Sequence, residues 1–404
     1  MRREKAALIG AVAAITTILA GCAPTESEGA APSASSSDTM EETTQVTVGV
    51  ITSESGPLAG YGEQYLAGFE AGLDYATDGT GMIGSTEIVV EHRDDAGDAD
   101  KAVTAAKELI GSGVNILAGT VSSGVALALA EQAAQNQVLY ISGPAAADVI
   151  TGVNEYTFRS GRQSSQDVAT AGAFLDDISG KDVLVFAQDT AFGQGNAAAV
   201  EAILGTQGAT VDSLLVAEDI TEFTTFAQQV LDADPDLVFV AWAGATSGSM
   251  WQSMSQQGVL DAVPVVTGLG DVATYGAYGD ASESIKFLNH YFAGATDNEV
   301  NTAMVEHIAA AGGTADLFSP DGFNAALMVV QAIQEGEGDV DAMIAALEGW
   351  SFEGPKGTMT VRASDHALIQ DMFQVKLVAD GDGYAPELID TAAADAVAPA
   401  EAAE

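Results

Sequence analysis

The 404-residue sequence is poor in basic residues and contains a single cysteine. Lysine and arginine total 13 against 58 aspartates and glutamates, which gives a formal net charge of −45. Binding to nucleic acid or to an anionic lipid surface needs a basic face, so this balance argues against both kinds of partner. One cysteine cannot form an internal disulfide, a Cys-based zinc site or an iron–sulfur cluster.

Motifs of the common catalytic and cofactor-binding classes are also missing. The sequence has no G-x-S-x-G nucleophile elbow, no Walker A loop and no H-E-x-x-H zinc pair. A loose G-x-G-x-x-A pattern at Gly193–Ala198 is separated from the preceding strand by Gln188–Phe192, which does not fit a dinucleotide-binding turn. The acidic run Asp94–Asp100 departs from the calcium-binding EF-hand frame. We therefore predict a protein that is not an enzyme, with no metal site and no cofactor.

The N-terminus resembles the signal of a bacterial lipoprotein. Three bases within the first five residues precede the apolar run Ala6–Ala20, which is too short to be a comfortable membrane span. The run ends in Leu19-Ala20-Gly21-Cys22, similar to a lipobox, where the peptidase cleaves before an acylated cysteine. We predict a signal peptide at residues 1–21 and lipid attachment at Cys22.

Both ends of the processed chain are predicted to be flexible. Residues 22–45 are rich in Ser, Thr, Ala, Pro and Glu and cannot bury enough apolar surface to fold, so they should form a tether. Residues 383–404 are predicted to form an acidic, alanine-rich tail. The expected location is outside the cytoplasm, with the protein anchored to the cell membrane by its N-terminal lipid.

Between these ends, predicted strands and helices alternate. The first series begins with the β-rich run Val46–Ile51, and a second series of similar size begins at Val183–Ala187. Repeated βα units favour parallel sheets covered by helices on both faces. The sequence therefore predicts an α/β protein with two open parallel-sheet, Rossmann-like lobes. It ends in an apparent hairpin that pairs Thr358–Val361 with Gln370–Val378.

Six short segments near predicted strand ends carry a family resemblance. In chain order they are Ser55–Gly62, Gly119–Ser123, Ser142–Ala147, Tyr156–Arg159, Asp189–Gly193 and Asp321–Ala325. Together they resemble the branched-chain amino-acid-binding (Leu/Ile/Val-binding) family of ABC-transporter receptors, over Val46 to Gly381. The resemblance implies a type I periplasmic binding fold, closure of two lobes around a small solute, and delivery of that solute to permease and ATPase subunits.

That fold also implies a division of the chain between its lobes. We expect residues 46–159 and 293–349 in the first lobe, and residues 160–292 and 350–382 in the second. Three crossovers would then form the hinge.

The expected carboxylate contact is at the start of a helix. Ligands of open α/β sheets bind beyond the carboxyl ends of strands. Ser122 and Ser123 stand there and offer hydroxyls, free N–H groups and a positive helix end. The alternative is that these serines only cap the helix, and a capping serine can also bind a ligand. The resemblance implies a carboxylate contact at Ser123, assisted by the backbone of Ala145 and Ala147.

The expected ammonium contact and the pocket walls come from other strand ends. Asp271 matches the family position of an acid that holds an α-ammonium, and Tyr61, Phe192 and Trp242 would supply aromatic walls. Trp242 fits a core position at the sheet edge equally well. Phe192 stands where the family usually has Tyr, and Ala147 where it has a Thr.

The predicted function is capture of a branched-chain or related hydrophobic amino acid. The departures at Phe192 and Ala147 leave open an amide, urea-like or aromatic carboxylate ligand. Arg162 would favour that alternative if it paired with an acidic group of the ligand. A sensor module and a secreted enzyme are further alternatives.

Overall fold

The computed structural model describes residues 43–172, 175, 177–381 and 383–402. The predicted signal peptide, Cys22 and the tether up to residue 42 lie outside this range. Within it, no helix is both long and apolar enough to cross a bilayer.

The described residues form strands that assemble into three sheets. The strands are β1 (Thr44–Thr52), β2 (Met82–Ile83), β3 (Thr86–Asp94), β4 (Ile116–Gly119), β5 (Leu139–Ser142), β6 (Thr157–Arg159), β7 (Asp182–Gln188), β8 (Thr210–Val216), β9 (Leu237–Ala241), β10 (Val265–Gly268), β11 (Ile285–Asn289), β12 (Ser351–Gly354), β13 (Gly357–Val361), β14 (Leu368–Ile369), β15 (Met372–Asp380) and β16 (Gly383–Ala392).

Helices connect most of these strands. They are α1 (Ala59–Ala76), α2 (Ala99–Gly111), α3 (Ser123–Asn136), α4 (Ser164–Gly172), α5 (Ala191–Ile203), α6 (Thr224–Asp232), α7 (Ser247–Gln256), α8 (Val259–Ala262), α9 (Tyr275–Tyr278), α10 (Glu299–Ala310), α11 (Ser319–Gly336) and α12 (Val340–Leu347).

The first sheet has the strand order β2-β3-β1-β4-β5-β6 and is parallel except for the edge strand β2. Val50, Leu117 and Ile141 on its central strands are fully buried. Its core also takes in α11, which contributes Phe323 and Met328. Continuous apolar strands of this kind are needed where helices cover both faces of a sheet.

The second sheet has the order β16-β15-β11-β10-β9-β7-β8. Its strands β7 to β11 are parallel, and β15 and β16 add an antiparallel edge. Alternate residues of β7 enter different cores, since Leu184 and Phe186 pack on one face and Val183 and Val185 on the other. The predicted architecture of parallel-sheet lobes is confirmed.

The predicted C-terminal hairpin is wrong. β13 pairs with β12 and β14, whereas β15 pairs with β11 and β16. Phe352, Met359 and Val361 bury their side chains in the core of the first sheet. From the sequence, we expected the whole of residues 350–382 in the second lobe. In the structure, residues 351–369 pack with the first lobe instead.

The predicted acidic tail also differs from the structure. Gly383–Ala392 forms the edge strand β16, and the chain beyond it returns to the first lobe. There, Arg362 Nη1 donates to the Pro399 carbonyl (2.7 Å), and the Ala402 N–H donates to Asp365 Oδ2 (3.0 Å). A solvent-facing edge strand needs few apolar residues, which is why its composition resembles that of a tail.

Three crossovers join the two lobes, and buried charges surround them. The chain passes from one lobe to the other between β6 and α4, between β11 and α10, and between β14, whose small sheet packs on the first core, and β15. Next to the first crossover, the buried Arg159 guanidinium donates to the carbonyls of Ala147 (3.0 Å), Ala145 and Arg162 (2.9 Å). These bonds fix the end of the first sheet against the start of the crossover.

Candidate functional site

A cavity of about 670 Å³ lies between the strand ends of the two sheets. The residues around it follow β1, β4 and β5 of the first sheet and β7, β9, β10 and β11 of the second. Its size is within the range of small-molecule binding sites, and it occupies the position where open α/β sheets bind ligands.

The structure brings five of the eight predicted ligand-binding residues together at this cavity. They are Tyr61, Ser122, Ser123, Phe192 and Trp242. The cavity is not lined by the other three, which are Ala145, Ala147 and Asp271.

Ser122 and Ser123 differ in how free their hydroxyls are. Ser122 is the N-cap residue of α3, but its side chain makes no capping hydrogen bond. The Ser123 hydroxyl accepts the N–H of Ala147 (3.2 Å). Ser122 therefore offers an uncommitted hydroxyl at the positive end of α3, where an anion is favoured.

Ala145 and Ala147 are fully buried beside the cavity rather than exposed to it. The Ala145 N–H donates to the Thr120 carbonyl (3.3 Å), and the Ala147 N–H is taken by Ser123. Both backbone donors that the resemblance implied for a ligand are thus bonded within the protein.

Asp271 lies at the rim where the two lobes meet. Its Oδ1 accepts the Thr274 hydroxyl (2.6 Å), and its Oδ2 is 3.5 Å from the amide nitrogen of Gln64 in the first lobe. The neighbouring Val272 N–H donates to Asp316 Oδ2 (3.1 Å). Burial raises the pKa of Asp316, and the charge of Asp271 adds to this effect.

Tyr61 also connects the lobes. Its hydroxyl accepts the N–H of Gly244 (3.3 Å), and the Pro57 carbonyl accepts the N–H of Ala245 (3.1 Å). The ring of Tyr61 stands edge-on to Phe318, with 4.7 Å between centroids. Burial is the main reason that the pKa of Tyr61 is raised to about 12, so the phenol stays neutral.

Trp242 serves both the core and the cavity. Its indole lies against Phe223 and Phe186, with centroids 5.1 and 5.2 Å away, and its Nε1 donates to the Thr246 hydroxyl (3.0 Å). Phe192, in the first turn of α5, supplies a further aromatic wall.

The buried polar residues that line the part of the cavity next to the crossovers include Arg162, Asp167, Asn289 and His290. Arg162 Nη1 donates to the Pro144 carbonyl (2.8 Å), and Arg162 Nε is 3.3 Å from Asp167 Oδ2. Asn289 is the last residue of β11 and His290 follows it. The sequence prediction missed both because it continued that strand to Phe292. The turn after a shorter strand would have been the signal.

The electrostatics of this end favour a neutral imidazole. The pKa of His290 is lowered well below its usual value, chiefly by burial and further by the charges of Arg162 and Lys356, while a hydrogen bond with the Leu317 backbone opposes the shift. His290 Nε2 has no hydrogen-bond partner among the described residues. The same holds for both amide atoms of Asn289.

Within the described range, no group of three or more His, Cys, Asp or Glu residues could hold a metal ion. The side chains around the cavity instead offer aromatic walls, hydroxyls, amides, an imidazole, a guanidinium and carboxylates, of which that of Asp167 is buried. Such a set can hold a small polar molecule with an apolar body through hydrogen bonds and contact area.

Known proteins with similar sequences or folds include binding proteins of transporters. The family model "Periplasmic binding protein" matches residues 45–382. The "Leu/Ile/Val-binding protein homolog 3" of Brucella melitensis is 27% identical over 324 residues, which cover 78% of this chain and 86% of that protein.

Two solved structures from Rhodopseudomonas palustris extend the comparison. An ABC-type branched-chain amino acid transporter is 32% identical, with a TM-score of 0.72, and the match covers 87% of this chain and 97% of that one. A solute-binding protein in complex with 4-hydroxybenzoate has a TM-score of 0.79 at 20% identity, covering 86% and 97% of the two chains. This second likeness shows the fold alone.

Proposed function

The chain belongs to the periplasmic binding protein family, and we propose that it is the solute receptor of an ABC importer. The resemblance found in the sequence motifs is thereby confirmed at the level of the family. The receptor would capture a small carboxylate with an apolar body and pass it to a permease that is driven by ATPase subunits.

The observation that carries the proposal is the cavity between the strand ends of the two sheets. Its lining combines the free end of α3 at Ser122, the guanidinium of Arg162 and the aromatic rings of Tyr61, Phe192 and Trp242. A carboxylate needs the first two groups, and an apolar body needs the rings. Contacts such as Tyr61 to Gly244 join the lobes, so they would form as the hinge closes on the solute.

The first candidate solute is a branched-chain or related hydrophobic amino acid, which the names of the relatives support. The second is a carboxylate or amide that lacks an α-ammonium. The second is favoured by the position of Asp271 outside the lining, and by Asp167, since the charge of this buried carboxylate at the cavity is shared with Arg162 through Oδ2.

A thermal unfolding panel tests the proposed function. The full-length mature protein is heated with hydrophobic amino acids, aromatic acids, amides and matched hydroxy acids. A bound solute at about 100 times its Kd adds roughly 2.7 kcal/mol to the free energy of unfolding, which raises Tm measurably. A panel without any shift would refute capture of a small carboxylate or amide.

Membrane attachment requires its own test because Cys22 is outside the described residues. We propose that the mature protein is held at the outer side of the cell membrane by a lipid on Cys22. Expression with a labelled fatty acid should label the wild-type protein and not Cys22→Ser. Equal labelling of the two proteins would refute the assignment.

A further inference from the structure

We propose that Arg162, Asn289 and His290 form a headgroup subsite that selects a carboxylate bearing a neutral hydrogen-bond donor, such as a 2-hydroxy acid, over the matching α-amino acid. This inference rests on the proposed function, because it assigns a solute class to the same cavity.

The three side chains are buried, and all three line the cavity. Their exposed fractions are 7% for Arg162, 1% for Asn289 and 4% for His290. Buried polar groups are almost always hydrogen-bonded, yet both amide atoms of Asn289 and the Nε2 atom of His290 have no partner among the described residues. Unused donors and acceptors at a cavity wall are the expected signature of a ligand contact.

Phe318 shows that Arg162 and His290 face the same part of the cavity. The Arg162 guanidinium carbon lies 5.7 Å from the centroid of the Phe318 ring, and the His290 ring centroid lies 5.1 Å from it. Both polar groups therefore lie close to one aromatic ring, at the end of the cavity bounded by the first and second crossovers, and near enough to each other for the charge of Arg162 to lower the pKa of His290. A headgroup beside that ring can reach both.

Arg162 supplies the positive charge for a carboxylate. Its hydrogen bond to Pro144 and its ion pair with Asp167 hold the guanidinium in place, so little side-chain entropy is lost when a ligand binds. Guanidinium–carboxylate hydrogen bonds are among the strongest that a buried site can offer.

His290 sets the second requirement, which is a donor on the ligand. Burial and the neighbouring Arg162 keep the imidazole neutral by lowering the pKa of His290, and its other nitrogen is engaged by the Leu317 backbone. When Leu317 accepts the ring N–H, Nε2 carries a lone pair and can only accept. The Asn289 amide offers an NH2 donor group and a carbonyl acceptor beside it.

An ammonium meets the donor requirement but adds a second cation to an end of the cavity that already holds Arg162. Asp167 is buried and paired through Oδ2 with Arg162, and its Oδ1 has no hydrogen-bond partner among the described residues, whereas Asp98, Asp189 and Glu218 line the cavity from exposed positions. A desolvated ammonium beside Arg162 would thus have to share the carboxylate of Asp167 with that guanidinium, and burial already disfavours the charged form of Asp167 by raising its pKa, so the arrangement is costly. A hydroxyl donates to His290 without that cost.

Matched probes separate these chemistries on one carbon skeleton. Isothermal titration compares leucine, 2-hydroxy-4-methylpentanoate and 4-methyl-2-oxopentanoate, and then phenylalanine with 3-phenyllactate. The hydroxy acids should bind at least about tenfold more tightly than the amino acids. The oxo acid should bind less tightly than the hydroxy acid because it has no donor for His290.

The outcomes distinguish the two proposals. An amino acid that binds as tightly as its hydroxy acid, or more tightly, overturns the subsite inference and leaves the proposed receptor function intact. If neither these probes nor the wider thermal panel bind, both proposals are refuted.

Two variants test the residues themselves. His290→Phe keeps a ring and removes Nε2, so the preference for hydroxy acid over oxo acid should disappear. Asn289→Asp adds a negative charge with almost no change of shape and should weaken the hydroxy acid by at least about tenfold, while leucine weakens less. Asn115→Asp, just before the amino end of β4 and hence at the opposite edge of its sheet, is the matched charge control. Unchanged ligand ratios in folded His290→Phe and Asn289→Asp proteins would overturn the inference.

Discussion

Helices α1 and α11 pack so closely that one added methyl group between them should push them apart. A Cβ atom added at Gly68 of α1 would lie 1.8 Å from the carbonyl oxygen of Ser319 and 2.7 Å from its carbonyl carbon. Both obstructing atoms belong to the backbone, so no side chain can rotate away. Gly68→Ala therefore forces the two helices apart, and with them the core residues Phe69 and Phe323.

The magnitude follows from two opposing effects. Alanine stabilises a helix interior by about 1 kcal/mol relative to glycine. Overpacking a tight contact typically costs about 1–3 kcal/mol and occasionally more, and a backbone clash this short belongs to the costly cases. We expect Gly68→Ala to lower the free energy of unfolding by about 2 kcal/mol or more.

Gly60 in the same helix provides the matched control. A Cβ atom there meets nothing within 4 Å. Gly60→Ala should therefore leave the free energy of unfolding unchanged or raise it by up to about 1 kcal/mol. Urea unfolding followed by far-ultraviolet circular dichroism measures both variants. Equal stabilities for Gly68→Ala and Gly60→Ala would refute the close-packing argument.

Three other outcomes are expected. Burial raises the pKa of Asp321 from 3.8 to about 7. Between these pH values the folded protein keeps the proton on Asp321 while the unfolded chain loses it, so the free energy of unfolding falls as pH rises. Asp321→Asn should therefore make the urea midpoint less dependent on pH over this interval. In Arg159→Lys, the ammonium lacks the planar guanidinium that donates to three carbonyls, so the free energy of unfolding should fall by about 2–4 kcal/mol. A loss below about 1 kcal/mol in urea unfolding would contradict this prediction. Tyr61→Phe removes the acceptor for the Gly244 N–H, so solute affinity measured by titration should fall by about three- to tenfold, with little change in the Tm of the ligand-free protein. Equal affinity of the variant and the wild type would show that this contact does not support closure.

The strands of the parallel sheets could be predicted because burial on both faces demands apolar residues at every position. The runs Val46–Ile51 and Val183–Ala187 lie inside β1 and β7, each of which is one or two residues longer at its ends. Strand pairing near the C-terminus could not be predicted in this way. The alternation of side chains in β13 is the same whether its partner is β14 or β15, and only packing against the first core decides between them.

The candidate site was predictable where a residue type and a strand end coincide, as at Tyr61 and Ser122. The roles of Ala145 and Ala147 followed from resemblance alone, but the Ala145 N–H donates to Thr120 and the Ala147 N–H donates to Ser123. Asn289 was not predicted because its strand was expected to extend to Phe292. A polar residue at the true end of the strand was therefore assigned to the interior of the sheet instead of to the cavity.

The placement of the few basic residues links the cavity to the hinge. Arg159, Arg162 and Lys356 are buried around the crossovers, although the sequence has only 13 bases in all. Buried charges are costly, and their best-attested use is to fix one arrangement of the chain. Arg162 donates a hydrogen bond to Pro144 of the first lobe and forms an ion pair with Asp167 at the start of the second. A solute held by Arg162 would therefore act directly on the segment at which the lobes join, so that recognition of the headgroup and closure of the hinge involve the same side chain.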